Sequence, residues 1–404
     1  MCVINLKIIS ISLIVIALPM YVTADTKDTL EEIIMIGIDV ISNVVAGKEI
    51  EDLLNIDASK LCDLNGLYSK KLLDSPELRT SDLKCKQYIC DRTITQIDSE
   101  YFNFVPYIIG GKPAVHGEFP HMGALGWKSA VDRNKWVYLC GATLISRNFM
   151  LTAAHCSSVP LTKYGVTNRK PEIVQLGDKF LHNDINYPNI LKKCYDNFGD
   201  LVLAHKIHRV HKWQTIDEND GPKYVSIENI INHPDYEASK NYYDIAIVEL
   251  AESLNFGPLI SPACLWNDPE TSSLDKLLIT GWGVVHPDES VGIDELQVAE
   301  VDLIEDIICD ELLKPRHSRK WDGLSDHQMC AGFLDGGTDT CHGDSGGPLQ
   351  VKMNFTNKVP FKKWPMYYQV GVTSFGFKCG RPKTPSIYTK TGSFVDWIED
   401  EVWP

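Results

Sequence analysis

The chain has 404 residues, a formal net charge of -15 and 44% hydrophobic residues, enough apolar material for two or three compact units with sizeable cores. The acidic balance argues against nucleic acid or an anionic membrane as the main partner. Its 12 cysteines are widely spaced and lack the tight C-x-x-C steps of a zinc module, so disulfides and an oxidising compartment are expected.

Lys7 precedes an apolar run from Ile8 to Leu18, and Val22-Thr23-Ala24 supplies the small residues a signal peptidase needs. We expect a signal peptide over residues 1–24 and a secreted, extracellular product, because the run is shorter than the roughly 20 residues of a membrane span. From Thr29 to Val45, Ile33, Ile34, Ile38, Ile41, Val44 and Val45 fall at helical spacing, with Glu31, Glu32 and Asp39 between them. That pattern predicts a packed helix, since its polar face is acidic and a membrane-surface helix wants a basic one. Residues 47–107 turn polar and hold Cys62, Cys85 and Cys90, with turn signals at Ser75-Pro76 and Thr80-Ser81-Asp82. Residues 25–107 therefore read as a small pro-region without a large core of its own.

After Tyr107 the texture changes to short Val- and Ile-rich runs broken by Gly, Pro and Asn: Ile173–Leu176, Ile245–Leu250, Leu277–Thr280 and Tyr368–Ser374. Many short strands joined by turns predict antiparallel barrels or a sandwich, an all-β class. Only the end reads as strongly helical, with Phe394, Trp397, Ile398 and Val402 at helix spacing behind Ser393 as the expected N-cap.

Chemistry concentrates in Asp339–Pro348, D-T-C-H-G-D-S-G-G-P, a mixture that suits neither a helix face nor an alternating strand. Ser345 is the candidate nucleophile, with Gly343, Gly346 and Gly347 leaving the backbone bare beside it; the competing reading is a glycine-rich surface turn. A serine hydroxyl near neutral pH needs a base and a group that orients the base. His155, in Thr152-Ala153-Ala154-His155-Cys156, and Asp244, at the mouth of the apolar run Ile245–Leu250, are the candidates. Alone, the histidine reads as structural and the aspartate as a turn residue.

His155, Asp244 and Ser345 together stand in the chain order His, Asp, Ser. With Ile108-Ile109-Gly110-Gly111, T-A-A-H-C, D-I-A, Gly281-Trp282-Gly283, G-D-S-G-G-P and Ser374-Phe375-Gly376, residues 108–404 resemble the catalytic domain of a chymotrypsin-family serine protease. The resemblance implies two antiparallel six-stranded β-barrels with the site between them and a C-terminal helix, preceded by the pro-region. It gives Ser345 the attack on the scissile carbonyl, His155 the proton, Asp244 the histidine's tautomer, and the N–H groups of Gly343 and Ser345 the oxyanion. Ser374 is expected to support Asp244. Asp339 matches the floor of a specificity pocket that favours Lys or Arg, Gly376 matches its wall, and Ser386 stands where trypsin-like members carry glycine. A hydroxymethyl there narrows the pocket and biases it toward Lys.

The family's zymogen logic implies cleavage at Tyr107–Ile108, after which the freed amine of Ile108 pairs with Asp344, so that activity falls in alkali. Most relatives are cut after Arg or Lys, so tyrosine before the cut implies a chymotrypsin-like activator or some other upstream enzyme, and self-activation is not expected because a pocket floored by Asp339 rejects tyrosine. The resemblance pairs Cys140 with Cys156, Cys309 with Cys330 and Cys341 with Cys379, and gives Cys264 a partner in Cys90 or Cys85. Phe119-Pro120-His121-Met122 and Pro262-Ala263-Cys264-Leu265-Trp266 are similar to arthropod clip-domain proteases of the snake type, although a full clip module has six cysteines. Implied partners are a protein substrate that is itself a zymogen, an upstream activating protease and a serpin-type inhibitor, with no cofactor and no metal.

A surplus stretch from His182 to Pro222 carries Cys194, His205, His208 and His211. It reads as a solvated basic loop, a substrate-recognising exosite, or three histidines at i, i+3 and i+6 for a metal. Asn354-Phe355-Thr356 is a glycosylation sequon. A silent homologue that binds partners and a digestive protease stand as the alternatives to a cascade enzyme.

Overall fold

A computed structural model describes residues 79–85, 87–88, 112–182, 222–268, 274, 277–283, 294–336, 343–353, 366–377 and 381–404. The expected signal peptide, the 29–45 helix, Tyr107, Ile108, Asp339, the Cys341–Cys379 pair, Asn354, Cys62, Cys90, Cys194 and the three loop histidines lie outside them.

Fourteen strands are described: β1 (Lys112–Pro113), β2 (Met122–Lys128), β3 (Trp136–Leu144), β4 (Phe149–Thr152), β5 (Ile173–Leu176), β6 (Lys223–Asn232), β7 (Ala246–Leu250), β8 (Cys264–Leu265), β9 (Leu277–Gly281), β10 (Gln297–Ile304), β11 (Gln328–Gly332), β12 (Pro348–Lys352), β13 (Tyr367–Phe375) and β14 (Ser386–Lys390). Short helices α1 (Leu161–Tyr164), α2 (Asp306–Leu313) and α3 (Val395–Val402) lie between and after them. The first barrel closes in the order β2-β3-β4-β7-β6-β5. The second runs β10-β11-β14-β13-β12-β9 and closes through β10–β9, with β1 and β8 added at its margins. Two closed six-stranded antiparallel barrels are thus present, as the resemblance implied; closure leaves neither ring an open edge.

Each barrel fills its own interior. Leu125, Trp127, Leu151, Val174 and Ile247 are sealed inside the first, and Leu277, Val301, Met329, Leu349 and Tyr388 inside the second. Full burial of such side chains contributes roughly 1.5–3 kcal/mol each. A third cluster, including Phe119, Met122, Trp282 and Tyr367, joins strands of both barrels. Phe394, Ile398 and Val402 dock the C-terminal segment onto the first barrel's core.

Two expectations are corrected. Ser393 is not the N-cap: it lies inside a 3-10 turn, Thr391–Phe394, and α3 begins behind Phe394 with no side-chain cap hydrogen bond. Helix is also not confined to the end, because α2 spans Asp306–Leu313. Its residues Ile307 and Ile308 are exposed, 78% and 43%, so the apolar periodicity that reveals a helix is broken in the sequence. Cys309 and Leu313, one turn apart, supply its buried side.

Disulfides join Cys140 to Cys156 and Cys309 to Cys330, as implied. Cys264 pairs with Cys85, which settles the choice between Cys85 and Cys90. Around that bridge residues 79–85 are seated on the barrels' outer face: Asp82 accepts from Asn267 Nδ2, Ser81 N–H donates to Glu399 at 2.9 Å, and Arg79 pairs with Asp396 and Glu399. Among the described residues no helix is long and apolar enough to cross a membrane.

Candidate active site

The register of β4 against β7 sets Thr152 opposite Ala246. Because the strands are antiparallel, the chain leaving β4 runs beside the chain entering β7. His155, three residues past Thr152, therefore meets Asp244, two residues before Ala246. His155 sits on a 3-10 turn, Ala154–Ser157, anchored by the Cys156–Cys140 bridge. In the chain-entropy model a loop of this size stabilises the fold by about 3 kcal/mol.

Asp244 is buried, 4% exposed, and its carboxylate is fully engaged. The His155 N–H donates to Oδ1 at 2.9 Å and His155 Nδ1 lies 2.8 Å from Oδ2. Ser374 Oγ, at the bulge of β13, donates to Oδ2 at 2.5 Å. Thr389 of β14 donates to the Asp244 carbonyl at 3.0 Å. Burial pushes the Asp244 carboxyl up, but His155 and Ser374 outweigh it and hold the group below the usual carboxylate range. Burial likewise pushes His155 down, yet the facing carboxylate wins and its pKa is raised. The pair fixes the imidazole with Nδ1–H toward Asp244 and the lone pair on Nε2, which lies 3.7 Å from Cys156 Sγ, and the side chain is 37% exposed.

Ser345 lies on a loop tied to both barrels. Its carbonyl accepts from Gly141 N of β3 at 2.8 Å, while Gly346 N donates to Thr373 O of β13 at 2.8 Å. Gly346 has φ +77°, and a Cβ there would stand 2.2 Å from Thr152 Oγ1 and 2.5 Å from Gly141 O, so only glycine fits. Gly343 has φ +101°. Among the described residues the N–H groups of Gly343 and Ser345, the expected oxyanion donors, make no hydrogen bond. Asp344 turns the other way, accepting from Gly283 N at 2.8 Å within the Gly-Trp-Gly stretch.

Of the residues expected to shape a specificity pocket, Ser374, Gly376 and Ser386 are described. Ser386 is buried, 1% exposed, and its Oγ lies 2.8 Å from where a Cβ on Gly376 would sit. The two residues therefore face each other closely across β13 and β14. The Ser374 hydroxyl is committed to Asp244, so any part it plays in the pocket falls to its backbone.

Sequence reasoning missed His327. It stands behind Asp244, and its ring accepts the N–H of Tyr243 at 3.2 Å. A lone histidine before β11 carries no spacing signal; only the packing of that loop on the Tyr243 turn reveals it. His155, Cys140 and Cys156 come close enough to resemble a metal cluster, but both sulfurs are held in the disulfide.

The trypsin family model matches residues 108–203 and 192–398. Serine protease snk of Drosophila melanogaster is 32% identical over 335 residues, covering 80% of this chain and 64% of that protein. Serine protease Hayan, also of Drosophila melanogaster, is 31% identical over 74% of this chain and 39% of its own length. The clotting factor G beta subunit of Tachypleus tridentatus is 29% identical over 77% of this chain and 86% of its own. The chain thus spans under two thirds of the first two relatives. Since the family match runs through most of the chain and through both barrels, the protein belongs to the trypsin family.

Proposed function

We propose that the chain is a secreted serine endopeptidase, made as a zymogen, that cleaves after Lys or Arg and acts on another zymogen in a limited-proteolysis cascade. The observation that carries the reading is the buried Asp244 carboxylate bonded to His155 Nδ1 at 2.8 Å, with the Ser345 loop tied by backbone hydrogen bonds to Gly141 and Thr373.

In this reading Ser345 Oγ attacks the scissile carbonyl and passes its proton to His155 Nε2. Asp244 stabilises the imidazolium, and the N–H groups of Gly343 and Ser345 hold the oxyanion. His155 then protonates the departing amine, and water repeats the sequence on the acyl-enzyme. In this reading the Ser345 Oγ–His155 Nε2 hydrogen bond tightens when substrate binds.

Asp339 is the pocket's charge selector, and the Ser386 hydroxyl, crowding Gly376, shortens the space and favours Lys over Arg. Cleavage after Tyr107 by a chymotrypsin-like protease frees the Ile108 amine for Asp344. A serpin-type inhibitor is the expected regulator. The names clotting factor G beta subunit and coagulation factor XI among the relatives support a cascade role. Residues 1–24 as signal peptide, 25–107 as light chain and 108–404 as peptidase complete the organisation.

The test is to cut the purified chain after Tyr107, then profile a peptide library with and without a serine-directed phosphonate. Labelling of Ser345 and cleavage after Lys ahead of Arg are expected, with Ser386→Gly narrowing that preference. Absence of labelling after confirmed cleavage removes the enzyme reading.

A further inference from the structure

Asp244 is carried by an unusual turn. Ile245 N donates to Tyr243 O at 2.8 Å, so Asp244 is the middle residue of a three-residue turn. Tyr243 enters that turn at φ +54°, a left-handed conformation that a bulky aromatic residue adopts only under constraint from its surroundings.

The constraint is a histidine pair. The Tyr243 ring is stacked between His327, with centroids 4.2 Å apart, and His233, 5.3 Å apart. A backbone N–H can only donate, so the 3.2 Å bond from Tyr243 N to His327 Nε2 requires a lone pair on that nitrogen. The remaining ring proton is then on Nδ1; Ser325 Oγ lies at the edge between the two nitrogens, 3.2 Å from Nδ1 and 3.0 Å from Nε2. Protonated His327 has no acceptor to offer. The same ring therefore either holds Tyr243 or repels its N–H, according to charge.

We propose that His327 is a positioning residue: its neutral ring fixes the Tyr243–Asp244 turn behind His155, and its protonation releases that turn and lowers turnover. The proposal rests on the triad reading above.

Each neighbouring element is consistent with a neutral ring at pH 7. His233, at the end of β6 with Asp235 beyond it, stacks on the far side of Tyr243. Lys390 of β14 donates its N–H to the His327 carbonyl at 2.9 Å, and its ammonium reaches Asp306. Phe394 packs edge-on at 5.6 Å, Tyr242 lies 6.2 Å away, and Asp326 adjoins on the same loop. Burial, His233 and Lys390 press the His327 pKa below its ordinary value, against the weaker pull of Asp326. A cavity of about 480 Å³ lined by His233, Asp235, Tyr243, Asp326, His327 and Trp397, with Asp396 of α3 at its margin, gives protons access.

The test compares pH profiles of kcat/KM and kcat for the full chain carrying Tyr107→Arg, activated with immobilised trypsin, on a lysine amide substrate. Below neutrality the parent should lose activity first with one proton, at His155, and then more steeply with two. His327→Gln carries an amide oxygen out to the reach of Nε2, an acceptor that does not titrate, so it should hold activity near neutral pH within about twofold and show one proton throughout. His327→Phe keeps a stacked ring but no acceptor, and its kcat should fall about tenfold with KM within twofold. Superposed parent and Gln profiles, or wild-type kcat in the Phe variant, overturn the proposal. So does a second limb that coincides with loss of fold by circular dichroism. A Ser345→Ala control separates the failures: retained activity there refutes the triad reading itself, whereas its loss beside unchanged His327 profiles refutes only the positioning role.

Discussion

Replacing Ser374 by alanine removes one donor from a buried carboxylate and touches nothing else in the chemistry. The hydroxyl donates to Asp244 Oδ2 at 2.5 Å, and both residues are buried, 2% and 4% exposed. A hydrogen bond to a charged group in such a setting contributes about 1.5–3 kcal/mol. If the full amount is felt as the imidazolium forms, kcat/KM falls about 10- to 100-fold, at a tenfold change per ~1.4 kcal/mol. The folded-state pKa of Asp244 lies below its unfolded value, so its stabilisation is present above about pH 3.9 and is lost as pH falls through the folded value. Without Ser374 the folded value rises, and acid unfolding should begin at higher pH. The assay is kcat/KM on a lysine amide with the activated protein, paired with acid titration of the fold by circular dichroism. A rate within twofold of the parent together with an unmoved acid midpoint refutes the reasoning.

The raised pKa of His155 places the main acid limb of kcat/KM above about pH 6.5, and Asp244→Asn should move it down while abolishing most activity; a limb unmoved by that change speaks against the pairing. His155 stabilises the fold fully below its unfolded pKa, and this is lost as pH rises through the folded one. Gly346→Ala forces a Cβ against Thr152 Oγ1 and Gly141 O at positive φ, so stability should drop by at least about 2 kcal/mol and phosphonate labelling of Ser345 should nearly vanish. After cleavage at Tyr107 the two pieces should run together on a non-reducing gel and apart on a reducing one; Cys264→Ser should release the light chain without reductant.

The stretch around Ser345 stood out because three glycines, two carboxylates and two hydroxyls in ten positions have no use in a core or on a helix face, and Gly343 and Gly346 take up positive φ there. Ile173–Leu176 coincides with β5, since an apolar β-branched run bounded by polar turns has few other ways to be buried. The helix α2 was not legible, because its exposed Ile307 and Ile308 interrupt the periodicity on which such a reading depends. Cys85 rather than Cys90 could not be chosen in advance, since pairing depends on where two distant segments approach.

By itself the sequence marked which side chains are candidates for the chemistry and which backbone positions are bare. Those properties reside in residue type and short-range steric limits. Only the tertiary structure decided that His155 and Asp244, 89 positions apart, share a hydrogen bond, because it takes the β4–β7 register to lay one beside the other. The same packing brought Ser374 beneath Asp244 and His327 behind it, contacts between segments 130 and 84 positions apart that no local pattern encodes.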